Sequence, residues 1–309
     1  IKLPLWPFHG WLPDAYRASP IHVTALLAAV MSKAGVYGFL RIGLPIFPEG
    51  ADYFAVTILV LAVIGIVYGS LVAWRAPTMR LLVAYSSLAH LGFIVLGIMA
   101  FDVMGGQGAV LQMVNHGVVV AAAFVIVGII ARTATGERID SLSGLAAKAP
   151  RLAYVFLIVA MASLAIPGSN AFVGEFFILA GTFRWHLWSA VLACLGIIYA
   201  SVYMLRLYQS SMNGPYRAGR DDAAAELRAY DLAILLPLIG VMLFIALWPA
   251  ALVGATERSV ERAVAPAQVA ADRPADTIAA PVVPNPPDYA QPLPGDEPPL
   301  AEQPGGPTP

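Results

Sequence analysis

Seven long apolar windows restrict this chain to a bundle of membrane-spanning helices. A hydrocarbon core about 30 Å thick needs about 20 apolar residues per helix, and each window is long enough to cross it. Only 12% of the residues are charged, whereas soluble domains have about 25%, and the mean hydropathy is +0.74. We therefore predict an all-α polytopic membrane protein. The windows are residues 21–44, 53–74, 81–100, 108–131, 151–182, 188–209 and 230–253.

Charge and cysteine content exclude several classes of function. A net charge of −1 argues against nucleic-acid binding. The single cysteine, Cys194, excludes a disulfide framework, a Cys₄ cluster or a zinc finger supplied by this chain alone. The sequence also lacks a P-loop, a His-Glu-x-x-His motif and a Gly-x-Gly-x-x-Gly run after a strand. Any electron-carrying metal chemistry is thus expected on other chains.

Proline and glycine interrupt the apolar pattern in two places. The window 151–182 is too long for one plain span and contains Pro167-Gly168-Ser169-Asn170, where proline removes a hydrogen-bond donor and glycine favours non-helical backbone. Residues 1–20 are rich in proline and aromatic side chains, and we interpret them as the end of another broken helix and a cytoplasmic loop. Breaks at membrane depth persist only where protein or water covers the freed backbone groups, and they are typical of transport sites.

The composition changes after the last window. Thirteen of the 25 prolines fall between Pro266 and Pro309, with acidic residues and almost no aromatic side chains. Such a segment cannot bury enough apolar surface to offset the entropy lost on ordering. We therefore predict a transmembrane bundle over 21–253 and a disordered extracytoplasmic tail over 254–309, which begins with a short amphipathic stretch.

Basic residues are distributed unequally between alternate loops. Cytoplasmic loops carry an excess of Lys and Arg, so the side that is rich in them is assigned to the cytoplasm. The opposite side has only Arg41 and Arg184 before the tail, which places the C-terminus outside. The basic residues of the first side are Arg17, Arg75, Arg80, Arg132, Arg138, Lys148, Arg151, Arg206, Arg217, Arg220 and Arg228.

Two charged residues lie deep inside apolar windows. Lys33 is in the middle of 21–44, where a lysine costs about 2.5–3.5 kcal/mol on insertion scales. Glu175 lies just after the break in 151–182. Ionisable groups at this depth are functional by default. The alternatives are a lysine that extends to the membrane surface and a glutamate that only complements the start of the second half-helix.

Two histidines and a second lysine extend the set of candidate proton carriers. His90 has Ser86 one turn before it, and His116 has Gln112 one turn before it, so each histidine has a polar neighbour on its own helical face. An imidazole titrates near pH 6.5, which suits a proton shuttle, although both could be hydrogen-bonded core residues. Lys2 precedes the proline-rich break and, from the residues alone, could equally be a headgroup anchor.

Several runs of residues resemble a known family. They look like the proton-translocating, antiporter-like membrane subunits of bacterial respiratory complex I, the NADH-quinone oxidoreductase. The resemblance extends from Ile1 to about residue 253. The runs are Lys2-Leu3-Pro4-Leu5-Trp6-Pro7-Phe8-His9-Gly10-Trp11-Leu12-Pro13-Asp14-Ala15, Ala18-Ser19-Pro20, Lys33-Ala34-Gly35-Val36-Tyr37-Gly38 and Ala84-Tyr85-Ser86-Ser87-Leu88-Ala89-His90-Leu91-Gly92-Phe93.

The resemblance implies a fold and a set of residue roles. The fold is an antiporter-like inverted-repeat helix bundle with discontinuous helices, of which this chain would hold about seven transmembrane helices and part of another. The implied proton path comprises Lys2, then Lys33 as the central relay, His90 and His116 as connecting groups, and Glu175 as the terminal site. Subunits L and N typically carry lysine where this chain has Glu175, so the pattern is that of the family's subunit M.

The resemblance also implies the partners of the chain. NADH, FMN, iron–sulfur clusters and quinone would be bound by other subunits, with no cofactor on this chain. The partners would be other complex I membrane subunits, especially L and N, and the lipid bilayer of the bacterial inner membrane. The family pairs the lysine at the position of Lys2 with a glutamate on an earlier helix. This sequence contains no such glutamate, so we expect the chain to be N-terminally truncated.

Two other hypotheses remain open at this point. In the same fold, the chain could belong to a multisubunit sodium/proton antiporter or a membrane-bound hydrogenase. In a different class, it could be a structural scaffold subunit in which buried charges fix helix register.

Overall fold

The residues that the structure describes form almost entirely helices, which confirms the predicted all-α class. A computed structural model describes residues 2–132, 136–216 and 226–273. All of the helices belong to one unit, Ile1–Asp272. They are α1 Trp11–Ala18, α2 Ile21–Leu26, α3 Ser32–Gly38, α4 Leu44–Ile46, α5 Pro48–Tyr53, α6 Ala55–Arg75, α7 Met79–Met99, α8 Val103–Ile130, α9 Pro150–Ser163, α10 Asn170–Trp185, α11 Leu187–Met212, α12 Ala229–Leu247 and α13 Pro249–Ala271.

Six helical stretches within the described residues are long and apolar enough to cross a membrane. Five of them are α6, α7, α8, α11 and α12. The sixth, Ile21–Ile46, joins α2, α3 and α4 through two π-helical segments, Leu27–Met31 and Phe39–Gly43. π-Helical turns occur mostly as short insertions in α-helices, often at functional sites, and the first of these turns precedes Lys33.

The apolar window 151–182 is divided into two half-helices. α9 ends at Ser163 and α10 begins at Asn170. Between them, Pro167 lacks an N–H and Gly168 has φ +90°, a left-handed conformation that favours glycine. Ala165 also has a positive φ of 49°, and strained non-glycine backbone of this kind clusters at active and switching sites.

The core lies around α7 and α8. α7 is buried along nearly its whole length, whereas α11 and α12 keep outward faces of exposed apolar side chains. α8 packs against α7, α10, α12 and the first span. Such an arrangement suits a bundle whose outer helices face lipid and whose central helices carry the polar groups.

Ion pairs tie the helices together at one end of the bundle. The Arg80 guanidinium donates to the Glu137 carboxylate at 2.5 Å, and Arg132 donates to Asp231 at 2.7 Å. The Asp231 carboxylate also raises the pKa of Arg132. All four residues lie at the end that the loop charges assign to the cytoplasm.

The expected tail begins with a helix that is longer than the short amphipathic stretch in our prediction. α13 starts at Pro249 and continues to Ala271, and the predicted last window ends early, at Leu247. Pro249 starts α13 because proline is well tolerated in the first helical turn. An apolar face at helical spacing, including Val260, Val264 and Ala267, is buried, and the helix packs on α8, α4 and α5. The part of the predicted tail from 274 to 309 lies outside the described residues.

The opening stretch also differs in detail from the expectation. Residues 2–10 are not regular helix, and α1 follows as a short helix of eight residues that packs against α7. The Ser19-Pro20 pair then separates α1 from α2, because the residue before proline is disfavoured in the helical region and Ser19 is extended.

Candidate functional site

Glu175 lies at the centre of a buried polar cluster. It follows the break by one and a half turns of α10 and is only 3% exposed. Its Oε1 atom is 3.0 Å from His90 Nδ1 on α7 and accepts a hydrogen bond from Gln112 Nε2 on α8 at 2.9 Å. The break therefore orients the start of α10 so that the Glu175 carboxylate contacts side chains of both α7 and α8.

Glu175 and His90 share a hydrogen bond in which either group can be the donor. A carboxylate accepts hydrogen bonds only, whereas a neutral imidazole has one N–H and one bare nitrogen. The 3.0 Å separation thus places a hydrogen between Oε1 and Nδ1, on the imidazole if the carboxyl group is ionised and on the carboxyl group if it is not. This arrangement is suited to proton transfer over a short distance.

His116 continues the cluster beyond His90. The centroids of the two imidazole rings are 5.1 Å apart. His116 is 4% exposed, and both of its ring nitrogens are buried without a hydrogen-bond partner among the described residues. A buried polar atom without a partner costs free energy, so stability alone does not explain a histidine here.

A small cavity borders the two histidines. Its volume, counted as the space open to the centre of a water molecule, is about 20 Å³. A site of at least about 10–15 Å³ with several polar partners can hold one water. The cavity is lined by His90, Gln112 and His116 and reaches Ser163 at the end of α9. It provides room for a water-mediated step between the imidazole groups.

Lys33 approaches His116 from the first span. The side chain is 7% exposed, and Nζ donates to the carbonyl of Ala28 in the π-helical turn. α8 presses on this turn: a Cβ atom added to Gly117 would lie 2.9 Å from the carbonyl oxygen of Ala29. Gly117 is the neighbour of His116, so this close approach places the turn that Lys33 Nζ contacts beside the segment of α8 that carries His116.

The side chain of Lys2 is not part of this cluster. It is exposed, and the structure gives it no contact with the other candidate residues. Its backbone is nevertheless held against α3, because a Cβ atom on Gly35 would lie 2.6 Å from the carbonyl carbon of Lys2. Of the five candidate residues, the structure thus brings together Lys33, His90, His116 and Glu175, while Lys2 lies beside the helix that carries Lys33.

Neither polar neighbour expected for the histidines bonds to its histidine, and another pair was missed. Ser86 donates to the carbonyl of Val83 at 3.0 Å. Gln112 does not bond to His116 on the same helix. Its side chain instead donates a hydrogen bond to Glu175 on α10. Asn115 donates to the carbonyl of Asn170 at 2.7 Å, and Asn170 donates back to Asn115 Oδ1 at 3.2 Å. This reciprocal pair fastens the start of α10 to α8. An asparagine next to His116 and another at the break were the available signals.

The charged groups in the described residues form no evident metal site. No group of three or more His, Cys, Asp or Glu side chains within those residues is arranged to hold a metal ion. The side chains of the site are two imidazoles, a carboxylate, a lysine amino group and amides.

Comparisons with known proteins agree with the resemblance. Residues 1–199 match the family described as NADH:quinone oxidoreductase/Mrp antiporter, TM. NADH-quinone oxidoreductase subunit M of Rickettsia conorii is 38% identical over 261 residues, which are 84% of this chain and 53% of the relative. The chain thus spans about half the length of the curated relatives that it matches.

Solved structures share the fold. A chain of respiratory complex I from Thermus thermophilus with bound NADH superposes with a TM-score of 0.80 at 27% identity, covering 86% of this chain and 56% of that one. A chain of the Mrp complex from Dietzia sp. DQ12-45-1b gives a TM-score of 0.75 at 23% identity, covering 87% and 58%. The second likeness is evidence of the fold alone. The matched residues include Lys33, His90, His116 and Glu175, and the chain belongs to the NADH:quinone oxidoreductase/Mrp antiporter transmembrane family.

Proposed function

We propose that this chain is part of the proton-translocating subunit M of a bacterial NADH-quinone oxidoreductase. The observation that carries the proposal is the buried contact between Glu175 and His90, with His116 next in line and Lys33 beyond it. These groups can each bind and release a proton, and together they connect four helices, α3, α8, α7 and α10, across the middle of the bundle.

The path runs from Lys33 through His116 and His90 to Glu175, and Lys2 lies beside the helix that carries Lys33. A charge that changes at one end alters the protonation of its neighbour through Coulomb interaction, which is strong where water is excluded. Groups coupled in this way titrate as a set. Protons can then move stepwise while the redox chemistry proceeds elsewhere.

The chain contributes to an enzyme without a redox centre of its own. NADH, FMN, iron–sulfur clusters and quinone would be bound by other subunits, and the membrane neighbours would include subunits L and N. The side chains of the site support a role in proton transfer, because imidazole, carboxylate and amino groups can each bind and release a proton.

The proposed location is the bacterial inner membrane, with the C-terminal end outside the cytoplasm. The paired arginines Arg80 and Arg132 lie at the end of the bundle that holds most of the basic loop residues. α13 packs on α4, α5 and α8, and α8 begins at the opposite end. Both observations support an extracytoplasmic position for α13.

The test is NADH-driven acidification of inverted membrane vesicles that carry the full-length gene. Glu175→Gln keeps the size and hydrogen-bonding capacity of the side chain but removes its titration. We expect acidification and coupled NADH oxidation to fall to background at equal complex content. The matched control is Glu257→Gln, the same chemical change on the exposed face of α13, which should pump as the wild type does.

Other outcomes would favour the alternatives. If NADH drives nothing but a sodium gradient drives proton movement, the chain belongs to an antiporter. If Glu175→Gln and Lys33→Ala both pump at the wild-type rate in assembled complexes, the scaffold hypothesis is correct and the proposed path is wrong.

A further inference from the structure

The side-chain amide of Gln112 uses only one of its two ends. The residue is 1% exposed, and its Nε2 atom donates to Glu175 Oε1 at 2.9 Å. Its own Oε1 atom is buried without a hydrogen-bond partner among the described residues. A buried carbonyl oxygen without a partner costs free energy, so stability alone does not explain why an amide lies here.

The amide is free to turn. A Cβ atom on Gly174 would lie 2.7 Å from Gln112 Oε1, so a side chain at that position would press on the amide, whereas glycine leaves it room. The terminal torsion of glutamine has a broad and roughly two-fold energy profile. A half-turn therefore exchanges Nε2 and Oε1, and within the described residues only the bond to Glu175 opposes it.

The carboxyl group of Glu175 needs a different partner in each of its two states. When it is ionised it only accepts hydrogen bonds, and when it is protonated its O–H needs an acceptor. The observed orientation of Gln112 suits the ionised state, and the half-turned orientation suits the protonated one. Gln112 and His90 approach the same oxygen, Oε1, so rotation about one C–O bond turns a hydrogen on it from one neighbour to the other.

We propose that Gln112 is a positioning residue whose amide donates to the ionised Glu175 carboxylate and turns to accept the hydrogen of the protonated one. This inference rests on the proposed function, in which Glu175 takes up a proton from the histidines. The imidazolium form of His90 gives its Nδ1 hydrogen to Glu175 Oε1; the N–H bond breaks, an O–H bond forms and both groups become neutral. The O–H then rotates to Gln112 Oε1, which directs the hydrogen away from His90 and slows its return.

Gln112→Met in the full-length, assembled complex tests this role. Methionine has an unbranched side chain of similar length but lacks the strong donor and acceptor of an amide. NADH-driven acidification of inverted vesicles should fall about tenfold, less than the roughly 10²–10⁴-fold contributed by a group that itself transfers the proton. The matched control is Gln107→Met, the same change at a buried position of α8 to which the structure gives no hydrogen bond with the path residues. It should pump at the wild-type rate.

Infrared difference spectra separate this role from a merely structural one. The C=O stretching band of protonated Glu175 is identified by its absence from Glu175→Gln. This band should shift in Gln112→Met, because the hydrogen of the carboxyl group has lost its amide acceptor. A glutamine that only held the ionised carboxylate in place would leave the band where it is in the wild type.

The pumping rate of Glu175→Gln distinguishes failure of this inference from failure of the proposed function. If Glu175→Gln pumps at the wild-type rate, the proposed function itself is wrong. If Glu175→Gln fails while Gln112→Met keeps the wild-type rate, or lowers it without moving the band, the positioning role is wrong and the proposed function stands. Should Gln112→Met fail to assemble, Gln112→Asn decides, because it keeps the amide but withdraws it by one methylene group. A lowered rate with a shifted band supports the role, and an unchanged rate or band overturns it.

Discussion

His116 presents two ring nitrogens to the protein interior without a hydrogen-bond partner among the described residues. Replacing a buried, unpartnered polar group by an apolar one of similar size is close to neutral for stability. We therefore expect His116→Leu to assemble with a melting temperature at or above that of the wild type, because the neighbouring cavity can take the extra volume. Proton pumping should nevertheless be lost, since leucine cannot carry a proton between Lys33 and His90.

Thermal unfolding and NADH-driven acidification per assembled complex measure the two effects separately. His186→Gln is the control, because His186 lies between α10 and α11 outside the spans, where burial lowers its pKa and no candidate residue contacts it. Full pumping by His116→Leu would show that the proton passes from Lys33 by another route.

At the scale of helices, the close packing of α8 on α10 decides where Glu175 lies. A Cβ atom on Gly108 would be 2.6 Å from the nitrogen of Ile178 and 2.8 Å from the carbonyl oxygen of Gly174. Backbone atoms cannot turn aside as a side chain can, so Gly108→Ala must push the two helices apart. We expect a destabilisation of about 1–3 kcal/mol and weaker pumping, because Glu175 would move away from Gln112 and His90.

The control for this change is Gly240→Ala in α12. A Cβ atom there has no heavy atom within 4 Å, and alanine favours helix over glycine by about 1 kcal/mol. This variant should be as stable as the wild type or slightly more so. The amount of assembled complex on native gels, the melting temperature and the pumping rate are the measurements, and equal values for the two variants would contradict the packing argument.

At the scale of the whole molecule, the unequal loop charges predict which end of the bundle faces the cytoplasm. A single cysteine introduced into a Cys194→Ser background reports the side of each position. In intact cells, a membrane-impermeant maleimide should label Asp272→Cys at the end of α13. It should label Arg151→Cys, at the start of α9, only after the membrane is opened. The reverse pattern would mean that the proposed orientation is inverted.

The sequence alone determined the membrane-spanning class, the depth of the charged residues and the interruption near Pro167. The physical reason is that a bilayer imposes a fixed length on apolar segments and a high cost on Lys33 or Glu175 within them. Proline and glycine act on the backbone locally, so their effect can be read without knowing the neighbours. These properties depend on residues close together in the chain.

Only the tertiary structure decided which side chains meet. Gln112 shares a helical face with His116 but bonds to Glu175, which lies 63 positions away, because the approach of α10 at Gly174 brings the carboxylate within its reach. Residues 254–271 look too polar to order alone, yet they form most of α13 because α8, α4 and α5 supply an apolar surface for Val260 and Val264. Such contacts depend on how closely two helices approach, which no local pattern of residues encodes.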